Sequence, residues 1–447
     1  MEPLQPHPDF VDAVRQELSD WRSWLARAVV LAYAAAAGLA VVGFTALSDL
    51  ALRGFTAITA WQAWLPFVWM PACAAAIVWV TRRHVPGAAG SGIPQVMAGL
   101  SMQTPPPQLG LFVSLKLSLA KVLLTAAGLL GGLSIGREGP SVQVAAGIMQ
   151  SAKRWLPEGS GITSHALLVA GGAAGIAAAF NTPLAGIVFA IEELSRRIEQ
   201  RSSGLIIAAI VLAGLMAVSV FGNSTYFGVI HVPAMGLGLL WPGLLVVLLC
   251  GLAGGLFSRL LITSLSPRED RIGRWQRVHP VRFAAACGLV LALIGWVTAG
   301  ATFGSGYGFT QGLLAGEAHA PGLVVVLRFI STWISAACGV PGGIFAPSLT
   351  IGAGIGSDVA MLTGDHAASA ALIAMGMAAF LAAVTQAPIT AFIIVMEMVD
   401  GHAMVLSLMA AALGASLVSR WISAPLYATL AAMQLQRLPV TDPPVRN

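Results

Sequence analysis

The sequence predicts an all-α polytopic membrane protein built from two inverted-topology repeats of tilted, broken and re-entrant helices. Three observations carry this. Of 447 residues, 57% are hydrophobic and only 10% are charged, where a soluble domain carries about a quarter charged residues. Apolar stretches recur along the whole chain, and 50 Gly and 25 Pro interrupt them. Two stretches roughly 200 residues apart share their small residues, a proline and a glutamate.

Composition alone excludes a water-soluble enzyme, because the mean hydropathy of +0.82 leaves too little polar side chain to cover a folded surface. The net charge of +5 and pI of 9.3 do not indicate nucleic acid, since 24 basic residues spread over this length form no dense basic face. Cys73, Cys250, Cys287 and Cys338 stand singly in apolar stretches and read as buried free thiols. Nothing calls for a cofactor or a metal.

Residues 8–25 place Phe10, Val14, Leu18, Trp21 and Leu25 at helical spacing with polar residues between them, which predicts an amphipathic helix on the membrane surface. The polar, acidic start from Met1 to Asp20 lacks the features of a signal peptide. Apolar segments follow near 29–47, 63–80, 111–134, 164–194, 204–221, 236–262, 282–300, 321–340, 348–362, 369–396 and 403–422. Several are shorter and several longer than the roughly 20 residues of an upright span. Helices interrupted within the bilayer are tolerated only where protein or a water-filled cavity satisfies the freed backbone. The expected organisation is a cytoplasmic N-terminal helix over 1–28, a first membrane half over 29–222, a second, inverted half over 223–432 and a short cytoplasmic tail over 433–447, with no regulatory domain after it. Basic residues at Arg82 and Arg83, at Arg196, Arg197 and Arg201, and from Arg268 to Arg282 put those three loops on the cytoplasmic side with both termini.

The duplication is read from matching residues. An offset of 205 aligns Gly171 with Gly376, Ala173 with Ala378, Pro183 with Pro388 and Glu192 with Glu397. An offset of 207 lays Gly136 and Pro140 on Gly343 and Pro347. Each half therefore has a Gly-and-Pro-bounded break in the same place, and in inverted-repeat transporters such breaks mark the substrate site near the bilayer midplane.

Three pentapeptides stand at such breaks: Gly90-Ser91-Gly92-Ile93-Pro94, Gly136-Arg137-Glu138-Gly139-Pro140 and Gly343-Ile344-Phe345-Ala346-Pro347. Each pairs a helix-breaking entry with a proline suited to a first helical turn. Unpaired first-turn amides carry partial positive charge, so starts that converge in a membrane form an anion site without a full cation. Such a site releases its anion readily. Ser91 adds a hydroxyl donor. Glu138, at a helix start inside an apolar region, is a functional candidate by default: ionised it competes with an anion for the amides, protonated it swings away. A salt bridge to Arg137 is disfavoured because adjacent helical residues do not face each other.

GSGIP, GREGP, GIFAP and the late Tyr427, in this order and spacing, resemble the CLC family of chloride channels and chloride–proton antiporters over nearly the whole chain. The resemblance implies hydroxyl donors to chloride from Ser91 and Tyr427, backbone amides from Ile344 and Phe345, and Gly139 in the same chloride site. It also implies Glu138 as the external gate and proton carrier, and Glu193 as the internal proton-transfer acid. Channel members commonly lack that inner acid, so the resemblance favours proton-coupled chloride antiport over a passive chloride channel. It further implies a homodimer with one pathway per subunit, surrounded by membrane lipid, in a bacterial inner membrane. The serine of GSGIP, where nitrate-preferring relatives carry proline, favours chloride.

From the residues alone, Glu192 or Glu193 also reads as a solvated helix end. Lys121, 17 residues before Glu138, reads either as a buried counter-ion or as a lysine snorkelling to the interface. The chain departs from many relatives in continuing GSGIP with Gln95-Val96-Met97 instead of acidic residues, which leaves the neutralisation of Lys121 and the speed of proton access to Glu193 open. Glu397 and Asp400 read as structural acids paired with an arginine, Arg328 being the candidate. Gly304-Ser305-Gly306-Tyr307-Gly308 faintly resembles a carbonyl-lined potassium filter, but a single copy in a duplicated chain reads as a flexible extracellular loop. A hydrolase is excluded because most of the eight histidines sit in or beside loops, and an ATP-driven pump because no phosphate-binding loop motif occurs.

Overall fold

Glycine and proline decide where the helices start and stop. In the computed structural model, which describes residues 21–101, 106–195, 203–222, 225–230, 237–317, 321–364 and 368–437, the first half contributes α1 (Trp21–Trp61), α2 (Pro66–His84), α3 (Ile93–Ser101), α4 (Leu115–Leu130), α5 (Glu138–Ser151), α6 (Ser164–Phe180), α7 (Pro183–Phe189) and α8 (Ser203–Phe221). The second half contributes α9 (Leu240–Leu265), α10 (Arg271–Val278), α11 (Pro280–Val297), α12 (Tyr307–Leu314), α13 (Gly322–Ala337), α14 (Phe345–Thr363), α15 (Ser369–Thr385), α16 (Pro388–Met398), α17 (Val405–Arg420) and α18 (Leu426–Gln436). Six of the described helices are long and apolar enough to cross a membrane. A helix of 17 residues, such as α6, spans about 26 Å and falls short of a hydrocarbon core of about 30 Å. Short helices of this kind end inside the protein.

The duplication extends beyond the matched residues to the helix ends. An offset of 207 carries α4 onto α13 from first residue to last, and an offset of 205 does the same for α6 and α15. Asn181 and Gln386 close those last two helices in the left-handed conformation, at φ 59° and 61°, and Pro183 and Pro388 then open α7 and α16. The apolar stretches 164–194 and 369–396 are thus each two helices with a break between them. Paired α5 and α6, and their counterparts α14 and α15, form the two most extensive helix contacts. Small residues allow it: a Cβ on Gly352 would lie 2.2 Å from the Gly376 carbonyl oxygen, so the backbones touch where any larger residue would part them.

Some expected boundaries move. The division at residue 28 falls inside α1, because no glycine or proline interrupts the chain between Trp21 and Gly38. The proposed surface helix over 8–25 lies mostly outside the described residues, as do Arg196, Arg197 and Arg201. At the other end α18 continues to Gln436, past the expected start of the tail. The short helices α3, α5, α10, α12 and α18 give no apolar run of their own and were visible, where visible at all, through their entry motifs. Cys250, Cys287 and Cys338 are buried free thiols, and Cys73 is a partly buried one.

Candidate functional site

The breaks of the two halves meet. Gly136 and Gly343 pair as a single antiparallel bridge, each amide donating to the other's carbonyl at 2.7 Å. This contact holds the starts of α5 and α14 nose to nose, so that their first-turn amides open into one space. The third break joins them through Gly90, whose carbonyl accepts from the Gly342 amide at 3.1 Å. A Cβ on Gly139 would stand 2.3 Å from Ser91 Oγ and 3.5 Å from the Gly343 Cα. Gly139 is therefore the gap through which the Ser91 loop reaches α5. Phe345, at the first position of α14, stacks on Tyr427 with ring centroids 6.1 Å apart and planes 13° apart.

The oxygens of Ser91 and Tyr427 are both shielded from solvent without a hydrogen-bond partner. Tyr427 is fully buried, its hydroxyl turned towards that of Ser91 as its nearest polar neighbour and within electrostatic reach of Glu193 and Glu138. Buried hydroxyls left without a partner cost free energy, and two of them facing one another beside open helix starts make a donor set suited to an anion. Glu138 is 1% exposed. Its Oε2 accepts from the Ala346 amide at 3.4 Å, so a carboxylate of the first half sits on the helix start of the second. Glu193 is partly buried on the single π turn Ala190–Leu194 that follows α7.

Cations are buried here too, yet they face carbonyls. Lys121 is fully buried, and its Nζ donates to the carbonyls of Ala88 at 2.6 Å and Gly90 at 2.7 Å. It neither snorkels nor serves as counter-ion to an acid; it clamps the turn that presents Ser91. Gln95 finishes the clamp, accepting from the Gly92 amide at 3.0 Å and donating to the Ala89 carbonyl. A neutral side chain suffices because carbonyl dipoles, and no carboxylate, take up the lysine charge. The second half repeats the device. Arg328, which the offset of 207 aligns with Lys121, donates to the carbonyls of Ala301, Phe303 and Gly304.

Two expectations are corrected by these bonds. Arg328 does not pair with Glu397 or Asp400. Glu397 instead accepts from the amides of Leu184 at 3.2 Å and Ala185 at 2.7 Å, at the open start of α7, and Asp400 lies 3.5 Å from His402. Glu192, likewise, is no solvated helix end: it accepts from Ile389 at 3.1 Å and Thr390 at 2.6 Å at the start of α16. The duplicated glutamates cap each other's half. Gly304–Gly306 is also not a loose loop, since Gly304 and Gly306 are buried at φ 61° and 87° and Arg328 holds the turn.

The sequence did not reveal the partners of Arg137. Its guanidinium ion-pairs with Asp49, donates to the Thr45 carbonyl at 3.2 Å and to the Tyr226 hydroxyl at 3.4 Å, and acts on Glu138 through space without bonding it. Tyr226 meets Tyr307 and Phe180 edge-on, at 5.0 and 5.6 Å, and these residues line a cavity of about 520 Å³ over the Glu138 side of the site. Tyr226 comes from a short connection with no periodicity to betray it.

Two inverted halves meeting at broken helices, with paired hydroxyls and a buried carboxylate at the junction, define an integral membrane transporter of the inverted-repeat class. The chain belongs to the CLC family: the family model described as voltage gated chloride channel matches residues 73–420. It is 32% identical over 401 residues to the H(+)/Cl(-) exchange transporter ClcA of Cronobacter sakazakii, covering 84% of this chain and 81% of that protein. Among solved structures it is similar to a slow cyanobacterial Cl-/H+ antiporter, with a TM-score of 0.77 and 25% identity over 92% of this chain and 98% of the other. A CLC-type fluoride/proton antiporter shares the fold at a TM-score of 0.73 and 19% identity, over 95% and 99% of the two chains.

Proposed function

We propose that this protein exchanges chloride for protons across a bacterial inner membrane, as a homodimer with one pathway in each subunit and both termini in the cytoplasm. The observation that carries the reading is the Glu138 carboxylate resting on the Ala346 amide. An ionised carboxylate there occupies amides that an anion needs; taking up a proton weakens that hold and frees them. One side chain thereby makes proton binding and chloride entry alternate. The hydroxyls of Ser91 and Tyr427 and the amides of Ile344 and Phe345 hold the chloride, and Gly139 keeps the Ser91 loop close enough to join them. Glu193 passes protons between Glu138 and the opposite face. The likeness to a named H(+)/Cl(-) exchanger supports this over a passive chloride channel of the same fold.

The test is the reversal potential of purified protein in liposomes under opposed chloride and proton gradients. Exchange predicts a potential displaced from the chloride equilibrium value by the proton gradient. A potential that follows chloride alone identifies a channel. Within this reading Tyr427→Ala removes one unpartnered donor and the ring stacked on Phe345, and chloride affinity by calorimetry is expected to fall about tenfold, the equivalent of one hydrogen bond of about 1.4 kcal/mol. Unchanged affinity removes Tyr427 from the chloride site.

A further inference from the structure

A second large cavity, of about 670 Å³, leads from one face of the protein to Ser91. Its wall includes Arg82 at the end of α2, Arg268 and Arg277 in and beside α10, and Arg437 just after α18. Three separate stretches of chain deliver these four guanidinium groups, and no Asp or Glu is among the described residues that line the space. Arg82 and Arg437 repel one another across it. The bonds they do make fix their position without neutralising them: Arg437 donates to the Leu265 carbonyl at 3.0 Å and Arg277 to the Arg268 carbonyl at 2.6 Å. Arg268 Nε is shielded from solvent and ion-paired with Asp270 at 3.7 Å, which leaves Arg82, Arg277 and Arg437 as the arginines of this lining without an ion pair among the described residues. Asp270 is also engaged in capping α10 through the Gly273 amide.

Four guanidinium groups around one space, only Arg268 of them ion-paired among the described residues, leave a net positive lining that favours a polyvalent anion as occupant. Guanidinium forks match the paired oxygens of an oxyanion, which a spherical halide lacks, and the cavity has room for far more than one halide. We propose that this cavity binds phosphate-class oxyanions, either a free polyphosphate or the phosphate of a lipid headgroup, and that occupancy closes the approach to Ser91. The binding is testable without the chloride–proton exchange reading, whereas the closing of the approach to Ser91 rests on it.

Calorimetric titration of the purified full-length protein with inorganic pyrophosphate at low salt tests the binding. The expected result is one saturable site per chain that weakens as salt rises, with affinity reduced at least about tenfold in Arg82→Gln/Arg437→Gln. Arg277→Gln, on a different element, is expected to give a smaller loss of the same sign. Melting temperature and circular dichroism report whether each variant keeps its fold. Chloride efflux from vesicles of phosphatidylcholine, with and without added phosphatidylglycerol, separates the two sources. Slowing by pyrophosphate in both vesicle types identifies the soluble anion; slowing by phosphatidylglycerol itself, relieved in the double variant, identifies the headgroup. Pyrophosphate binding that survives unchanged in the double variant overturns the proposal. So does the joint absence of saturable pyrophosphate binding and of lipid-dependent slowing. Binding with no effect on efflux overturns the occlusion of Ser91.

Discussion

Glu138→Gln is expected to abolish proton movement while chloride flux persists within about tenfold of the parent rate. Glutamine keeps the size of the side chain and its ability to accept from the Ala346 amide, but it carries no exchangeable charge. The neutral group therefore mimics the protonated gate permanently. The pH dependence follows with its sign. In the parent protein, chloride flux rises as pH falls, because protonation releases the carboxylate from the helix start; in the variant the profile is flat. Simultaneous recording of chloride efflux and proton uptake in liposomes checks both statements. Retained proton coupling in the variant would exclude Glu138 as the carrier, whatever the chloride rate.

The second large effect is on stability. Glu397→Ala removes two charge-assisted hydrogen bonds from the start of α7, where Pro183 has already opened a turn whose amides have no helical partner. Each such bond contributes about 1.5–3 kcal/mol, and partial exposure of the pair lowers the combined loss to about 2–4 kcal/mol. Glu192→Ala is expected to cost a similar amount at the start of α16, for the mirrored reason. Thermal unfolding in detergent measures both. The ratio of chloride to protons exchanged is expected to stay unchanged in Glu397→Ala, since that carboxylate lies off the proposed chloride site; a changed ratio would give it a transport role.

Much of this architecture was legible because membrane helices must declare their breaks. A helix cannot end in hydrocarbon without something to satisfy its backbone, so Gly90, Gly136 and Gly343 announced themselves, and the offset between the halves told which breaks correspond. The candidate residues within those breaks were singled out for the same reason. What stayed hidden depends on three-dimensional partnership. Glu192 and Glu397 were visible as a matched pair, but that each carboxylate crosses to the other half follows only from the inverted placement of two identical turns. The sequence suggested an arginine for Glu397, on the habit of matching charge with charge, whereas open amides at a proline-started helix are an equally good partner and lie closer. Lys121 misled in the same way: its partners are carbonyls, and backbone acceptors leave no trace in composition. Tyr226 and Asp49 carry no motif and become notable only beside Arg137.

The crossed carboxylates have a consequence for how the protein is made. Glu397 lies 213 residues after Leu184, whose amide it accepts from, so at ordinary ribosome speeds the first half waits about 10–40 s for it. During that interval the start of α7 has neither water nor its eventual acceptor if it has already reached lipid. Each half thus completes a helix start of the other, and the α7 amides gain these acceptors only after Glu397 has been made. One exchanged glutamate on each side ties the second-made half back to the first.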